Sequence, residues 1–118
     1  MAWGVSVMAY QNITPTRLGQ IALTTSYRIV YTVPANIRTF LKDADICNTN
    51  GVSATVTLCV VPVGSSPGTT TAIFYQASIP AFSTLQWTGS QIMNTGDTIQ
   101  MLASATGVTA TLTGGEAQ

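Results

Sequence analysis

From Tyr27 onward, apolar and polar positions alternate with a period of two, interrupted at short intervals by turn signals. Tyr27, Ile29, Tyr31 and Val33 share one face of the first such segment, with Arg28 and Thr32 on the other. Pro34-Ala35-Asn36 turns the chain. Residues 37–47 read as a long strand with Phe40, Ala44 and Ile46 on one side and Leu41, Asp43 and Asp45 on the other. The pattern changes phase near Lys42, which predicts a bulge or a strand passing between environments. Asn48-Thr49-Asn50-Gly51 predicts a hairpin turn, because Asn-Gly readily takes the positive φ that hairpin turns require.

Ala54, Val56, Leu58 and Val60 then alternate with Thr55, Thr57 and Cys59 until Pro62 ends the strand. Gly64-Ser65-Ser66-Pro67-Gly68 is a loop, and Ile73, Tyr75, Ala77 and Ile79 form the next apolar face. Pro80-Ala81-Phe82-Ser83 leads into Leu85-Gln86-Trp87. Asn94-Thr95-Gly96-Asp97 leads into Ile99, Met101 and Ala103, and Thr106-Gly107 into Val108, Ala110 and Leu112. No stretch shows a helical period. Seven or eight strands with this spacing predict an all-β, single-domain antiparallel β-sandwich, with a jelly roll or an immunoglobulin-like fold as the candidates. An immunoglobulin domain carries widely spaced cysteines around a tryptophan, whereas Cys47 and Cys59 both precede Trp87, so a jelly-roll-like sandwich is favoured. The predicted organisation is an extended N-terminal arm over residues 1–19, a sandwich over 20–114 and a frayed tail over 115–118.

Charge is scarce. Four Lys/Arg and four Asp/Glu in 118 residues make 7%, against about 25% in an ordinary soluble domain. Twenty threonines take their place. Threonine is β-branched and suits strands, and its hydroxyl suits a semi-buried interface without the desolvation cost of a charge. The net charge is zero and Arg17, Arg28, Arg38 and Lys42 are scattered, so no cation cluster exists to bind nucleic acid. A neutral chain also lacks the self-repulsion that keeps monomers apart, which predicts life in an assembly. No apolar run approaches the roughly 20 residues that span a bilayer, and the N-terminus lacks the basic region of a signal peptide. In a hairpin centred on Asn50, Cys47 would face Ser53 and Cys59 would face Leu41, about 20 Å apart along the strands. That is too far for a disulfide, so two free thiols are expected.

Candidate chemistry is thin. There is no histidine, hence no usual general base, triad partner or common zinc ligand. No phosphate-binding glycine loop leads into a helix, and no cofactor or metal is expected. Asp43 and Asp45 lie two apart on one strand and point to one face; the pair suits glycosidic hydrolysis, a weak calcium site, or two solvated acids, the last being favoured. Trp87 is a candidate for stacking on a sugar, with a core or interface role favoured beside Leu85. Candidate assembly contacts are Trp3 and Tyr10 in the arm, together with Arg28 and Arg38 about the Val33-Pro34-Ala35 turn.

Several segments in order carry a resemblance: Thr32-Val33-Pro34-Ala35-Asn36, Asp45-Ile46-Cys47-Asn48-Thr49, Val61-Pro62-Val63-Gly64, Ser78-Ile79-Pro80-Ala81, Leu85-Gln86-Trp87-Thr88-Gly89, Asn94-Thr95-Gly96-Asp97-Thr98-Ile99 and Ala103-Ser104-Ala105-Thr106-Gly107. Over residues 20–114 the chain resembles the small structural proteins of tailed bacteriophages, of the head-decoration or tail- and fibre-associated kind. The resemblance implies a non-enzymatic β-sandwich that assembles on a virion in the host cytoplasm, often as a homotrimer. Its partners would be other virion proteins, the major capsid protein first, with no nucleic acid and no membrane. A capsid decoration (cement) protein is the leading expectation, and a neck, tail or baseplate/fibre protein with receptor (glycan) binding is the alternative.

Overall fold

The computed structural model describes residues 13–118. It contains eight strands: β1 Ile13–Ala22, β2 Arg28–Thr32, β3 Arg38–Asn48, β4 Ala54–Val61, β5 Ala72–Ile79, β6 Thr84–Met93, β7 Thr98–Ala103 and β8 Val108–Ala117. They form two four-stranded sheets in the orders β1-β8-β3-β6 and β2-β7-β4-β5, and every pairing is antiparallel. Apart from the β4–β5 hairpin, each connection crosses from one sheet to the other. Eight strands in two such sheets are a jelly roll, a β-sandwich as the alternation predicts.

The core is the set of inward positions of both sheets. Leu41, Ala44, Ile46, Ala110, Leu112 and Met93 from the first sheet meet Val56, Leu58, Ile79, Ile99, Met101 and Ala103 from the second. The phase change at Lys42 is a bulge: the register slips between Leu41 and Asp43 against both β6 and β8. Leu41 is therefore the inward residue before the bulge and Phe40 faces outward, the reverse of the simple pattern.

Other slips move residues the same way. In β2 the register jumps between Ile29 and Tyr31, so Ile29 is exposed and Val30 packs on the core. In β5 the backbone at Gln76 takes φ 50°, and Phe74 packs on the core while Tyr75 is turned outward. The backbone NH of Gln76 then donates to the Thr57 hydroxyl, 3.0 Å away, which satisfies a buried threonine.

The expected hairpin at Asn48–Ser53 does not form, because β3 and β4 belong to different sheets. Neither Asn50 nor Gly51 has a positive φ. Asn36 and Phe82 have positive φ instead, each third in a turn closed by Ile37 NH to Pro34 O or by Ser83 NH to Pro80 O, as a type II turn requires. Cys47 lies on the outer face of one sheet and Cys59 on that of the other, with the core between them. Both thiols are free.

The predicted boundaries also shift. Ile13 pairs with Ala117 and Arg17 with Thr113. Residues 13–19 are thus strand rather than arm, and residues 115–117 are strand rather than tail. Trp3 and Tyr10 lie outside the described residues.

The connections collect at two ends. Loops 23–27, 49–53, 80–83 and 104–107 share one end, tied by Leu23 NH to Val108 O, Thr49 NH to Gly107 O and Phe82 NH to Asn50 O. Loops 33–37, 62–71 and 94–97 share the other, tied by Val33 NH to Asp97 O and Gly96 NH to Val33 O.

Candidate functional site

The outer face of the β1-β8-β3-β6 sheet divides into two zones. Pairing aligns its residues into rows across four strands. The first row is Ala22, Thr109, Cys47 and Thr84; the second is Gln20, Thr111, Asp45 and Gln86; the third is Arg17, Thr113, Asp43 and Thr88. Residues that alternate with them, Ile21, Ala44, Ile46, Leu85, Trp87, Ala110 and Leu112, pack on the core, so the rows point away from it. This zone is polar and rich in hydroxyl and amide groups.

Asp43 and Asp45 sit at its centre, on one face as the spacing predicts. Burial raises the Asp45 pKa above the usual carboxylate range, and the neighbouring Asp43 raises it further by repulsion and by accepting a hydrogen bond from the neutral carboxyl. One oxygen of Asp43, Oδ1, is buried without a partner. The rows place threonines and a glutamine beside the two acids and no aromatic ring, so the zone offers a sugar no stacking surface. Among the described residues, no three His, Cys, Asp or Glu are grouped so as to hold a metal.

The second zone lies towards the chain termini and is apolar. Pro15 pairs with Gly115, Gly115 with Phe40, and Phe40 with Ile92, which makes one row over four strands. Ile13 stands beside it, its Cγ2 3.3 Å from where a side chain on Gly115 would begin. Ile13 and Ile92 are 51% and 59% exposed, which for residues of this size marks an uncovered surface. Gly114 and Gly115 form the floor of a trough with no side chain of their own. A Cβ on Gly114 would stand 1.8 Å from the Phe40 carbonyl oxygen, so the strands close on each other only because that position is glycine.

Two adjoining cavities follow this surface. One of about 400 Å³ is bounded by Pro15, Phe40, Lys42 and Ser90. The other, about 560 Å³, continues past Ile37, Arg38 and Asn94 at the end of the sandwich. Both include Ile13 and Phe40. The sequence pattern does not reveal this trough, because its walls come from four strands that are not consecutive; the Gly114-Gly115 pair, where the sandwich was expected to end and the tail to begin, is the one local trace of it.

The remaining candidates are dispersed. Trp87 points inward from edge strand β6, opposite Ala44, and packs half-buried on the core. Its ring runs so close to Gly89 that a Cβ there would lie 2.9 Å from Trp87 Cζ2. Arg28 is exposed and donates to the Ala22 carbonyl at 3.4 Å. Arg38 is at the other end, lining the larger cavity. The two arginines therefore belong to opposite ends of the sandwich and form no common site.

On the outer face of the second sheet, Cys59 Sγ lies 3.9 Å from the Tyr27 hydroxyl. Burial raises the Tyr27 pKa, with Cys59 and Tyr75 adding to the effect. Tyr75, turned outward on β5, is exposed.

No protein-family model matches the chain, and no curated protein matches it. Among solved structures it is similar to the structure of infectious bursal disease virus Gx strain, with 9% identity and a TM-score of 0.30. The match covers 92% of this chain and 29% of that one, so the chain spans under a third of its length. A likeness at that score carries no argument.

Proposed function

We propose that the chain is a non-enzymatic structural protein of a bacteriophage virion, specifically a capsid decoration protein that stabilises the head through protein–protein contacts. The observation that carries this reading is a jelly roll, in a chain with 7% charged residues, whose outer sheet face carries threonine or glutamine at seven of the twelve positions of its three rows. Hydroxyl and amide groups lose water at lower cost than charges do, and they can re-form hydrogen bonds with a partner. Such a face suits repeated docking on coat subunits. An interface of standard size, about 1,600 Å² in total, supplies tight binding without special chemistry. Low charge favours self-association as well, and a homotrimer attached to the major capsid protein is the form this reading expects.

The test is mass by light scattering, with and without empty phage shells. A trimer that co-sediments with shells supports decoration. A protein that stays monomeric at high concentration and ignores shells overturns it.

One observation favours a second reading, a neck, tail or baseplate/fibre protein that binds a receptor glycan. Tyr75 is exposed on the outer face of the second sheet, and an exposed tyrosine ring suits stacking on a sugar. Glycan binding lost on Tyr75→Ala supports this reading; binding unchanged by that substitution removes it.

A further inference from the structure

We propose that Asn50 is a site of spontaneous hydrolytic modification. Attack by the Gly51 backbone nitrogen converts its side-chain amide to a carboxylate, and the conversion unties the 49–53 loop from the 104–107 loop. A nucleophile, an electrophile and a tether meet at this one position, whichever particle the protein serves.

Sequence and exposure supply the nucleophile. Asn50 is the one asparagine of the chain followed by glycine. Asn12, Asn36, Asn48 and Asn94 precede isoleucine or threonine, whose branched Cβ crowds the backbone nitrogen. Gly51 is exposed and has no side chain to shield its nitrogen. No described carbonyl accepts a hydrogen bond from its NH. No turn or ladder bond therefore has to break to free it.

The electrophile, Asn50 Cγ, is seated against the neighbouring loop. Asn50 Nδ2 donates to Thr106 O at 2.7 Å. Gly107 takes φ 86°, and a Cβ there would fall 2.6 Å from Asn50 Oδ1, so this glycine leaves the space in which the amide lies. Beside it, Thr49 NH and the Thr49 hydroxyl both donate to Gly107 O, at 3.0 and 2.6 Å. The half-buried amide leaves Thr106 by the breaking of one hydrogen bond. Openings of that size are frequent in a folded chain.

Water is the one co-reactant. Hydroxide removes the Gly51 NH proton, and the nitrogen lone pair forms a bond to Asn50 Cγ. The Cγ–Nδ2 bond breaks, and Nδ2 takes up a proton and departs as ammonia. Water then opens the cyclic imide at either carbonyl. The product is aspartate, or its isomer with the main chain running through the side-chain carbonyl. Both have lost the donor to Thr106 O and carry a carboxylate, which only accepts. Two acceptors then face each other, and the contact between the loops opens for good.

The test incubates the full chain at mildly alkaline pH, in buffer and in urea, and follows conversion by peptide mass spectrometry. Conversion is expected at Asn50 and at no other asparagine. In buffer it should run roughly two- to tenfold slower than in urea, the factor that one net hydrogen bond allows. Aged protein should show faster hydrogen exchange at Thr49 NH while the strands keep their protection, and fresh Asn50→Asp should show the same. Gly51→Ala is the control. Gly51 has no positive φ, and a Cβ there would meet Phe82 Cζ at 3.4 Å, an ordinary contact with an exposed ring. That variant should keep the fold and neither convert nor loosen while the unaltered chain does both. Conversion in buffer slowed by the whole unfolding equilibrium would mean that only the unfolded chain reacts, and overturns the proposal. Equal rates in buffer and urea, equal conversion in Gly51→Ala, or aged protein with unchanged exchange at Thr49 overturn it too.

Discussion

Tyr31 on β2 donates a hydrogen bond to the carboxylate of Glu116 on β8, joining the two sheets across 85 positions of sequence. The Thr39 hydroxyl, 2.7 Å from the same phenol oxygen, donates to it in turn. Burial and the Glu116 hydrogen bond push the Tyr31 pKa up to about 12. Glu116 belongs to a segment whose composition reads as a frayed tail, and this contact gives it a structural role.

The Tyr31 contact predicts a stability loss in alkali. Its folded pKa is raised above the ordinary value of about 10. The stabilisation is therefore fully present below pH 10 and is lost as pH rises towards 12. Urea denaturation should show a midpoint that falls over that window. Tyr31→Phe should cost about 1.5 kcal/mol at pH 7, the lower end for a hydrogen bond to a charged group, and flatten the alkaline fall. A variant with an unchanged midpoint at pH 7 would remove the contact from the account of stability.

Asp43 and Asp45 follow the same linkage at lower pH, but here the substitution should stabilise. Burial and the Asp43 charge raise the Asp45 pKa. A carboxyl with a raised folded pKa binds its proton more tightly in the native state, so stability falls as pH rises from the unfolded value through the folded one. Asp45→Asn should therefore raise the melting temperature at pH 7, by an amount worth roughly a few tenths of a kcal/mol for a half-buried pair at the surface. At pH 3 it should change nothing. A loss of stability at pH 7 would mean that the ionised pair is held by contacts favouring its charge.

How much of this was legible in the chain depends on the range of the interaction. The alternation of Val56 and Leu58 with Thr55 and Thr57, and the phase change at Lys42, are local, and they mark the strands and the bulge correctly. What local pattern lacks is the identity of the partner strand. Asn50-Gly51 looks like a hairpin whether the next strand stays in the sheet or crosses to the other, and here it crosses. Single-residue slips at Val30 and Gln76 each reverse the faces beyond them, which is why Ile29 and Tyr75 emerge outward. The apolar row from Pro15 to Ile92 is invisible for the same reason, since its four members meet only once β1, β8, β3 and β6 are in register.

Asn48 shows how the crossing loop is held without the expected hairpin turn. It is fully buried, and its side-chain NH2 donates to Val52 O at 2.9 Å, Ile79 O at 3.1 Å and Pro80 O at 3.2 Å. Its Oδ1 accepts from Asn50 NH at 3.0 Å. One side chain thus clamps the 49–53 loop to the 80–83 loop. Asn48→Ala should leave these carbonyls unpaired and cost about 2–3 kcal/mol in urea denaturation. Asn48→Asp should cost at least as much, because a carboxylate cannot donate to a carbonyl. If Asp is tolerated as well as Asn, the clamp is not held by donated hydrogen bonds.

Gly114 tests whether the trough is built by glycine. It pairs with Thr16 on one side and Leu41 on the other, and a Cβ would fall 1.8 Å from the Phe40 carbonyl oxygen. That obstacle is backbone, so the neighbour cannot swing aside as a flexible side chain would. Relief requires β8 and β3 to separate locally, which breaks ladder hydrogen bonds near the base of the trough. Gly114→Ala should therefore cost about 3 kcal/mol, the upper range for overpacking. Hydrogen exchange should localise the loosening to residues 39–41 and 113–116, and the Asn48 clamp at the far end should keep its protection. Uniform loss of protection along β3 and β8 would show instead that the whole sheet depends on this one close approach.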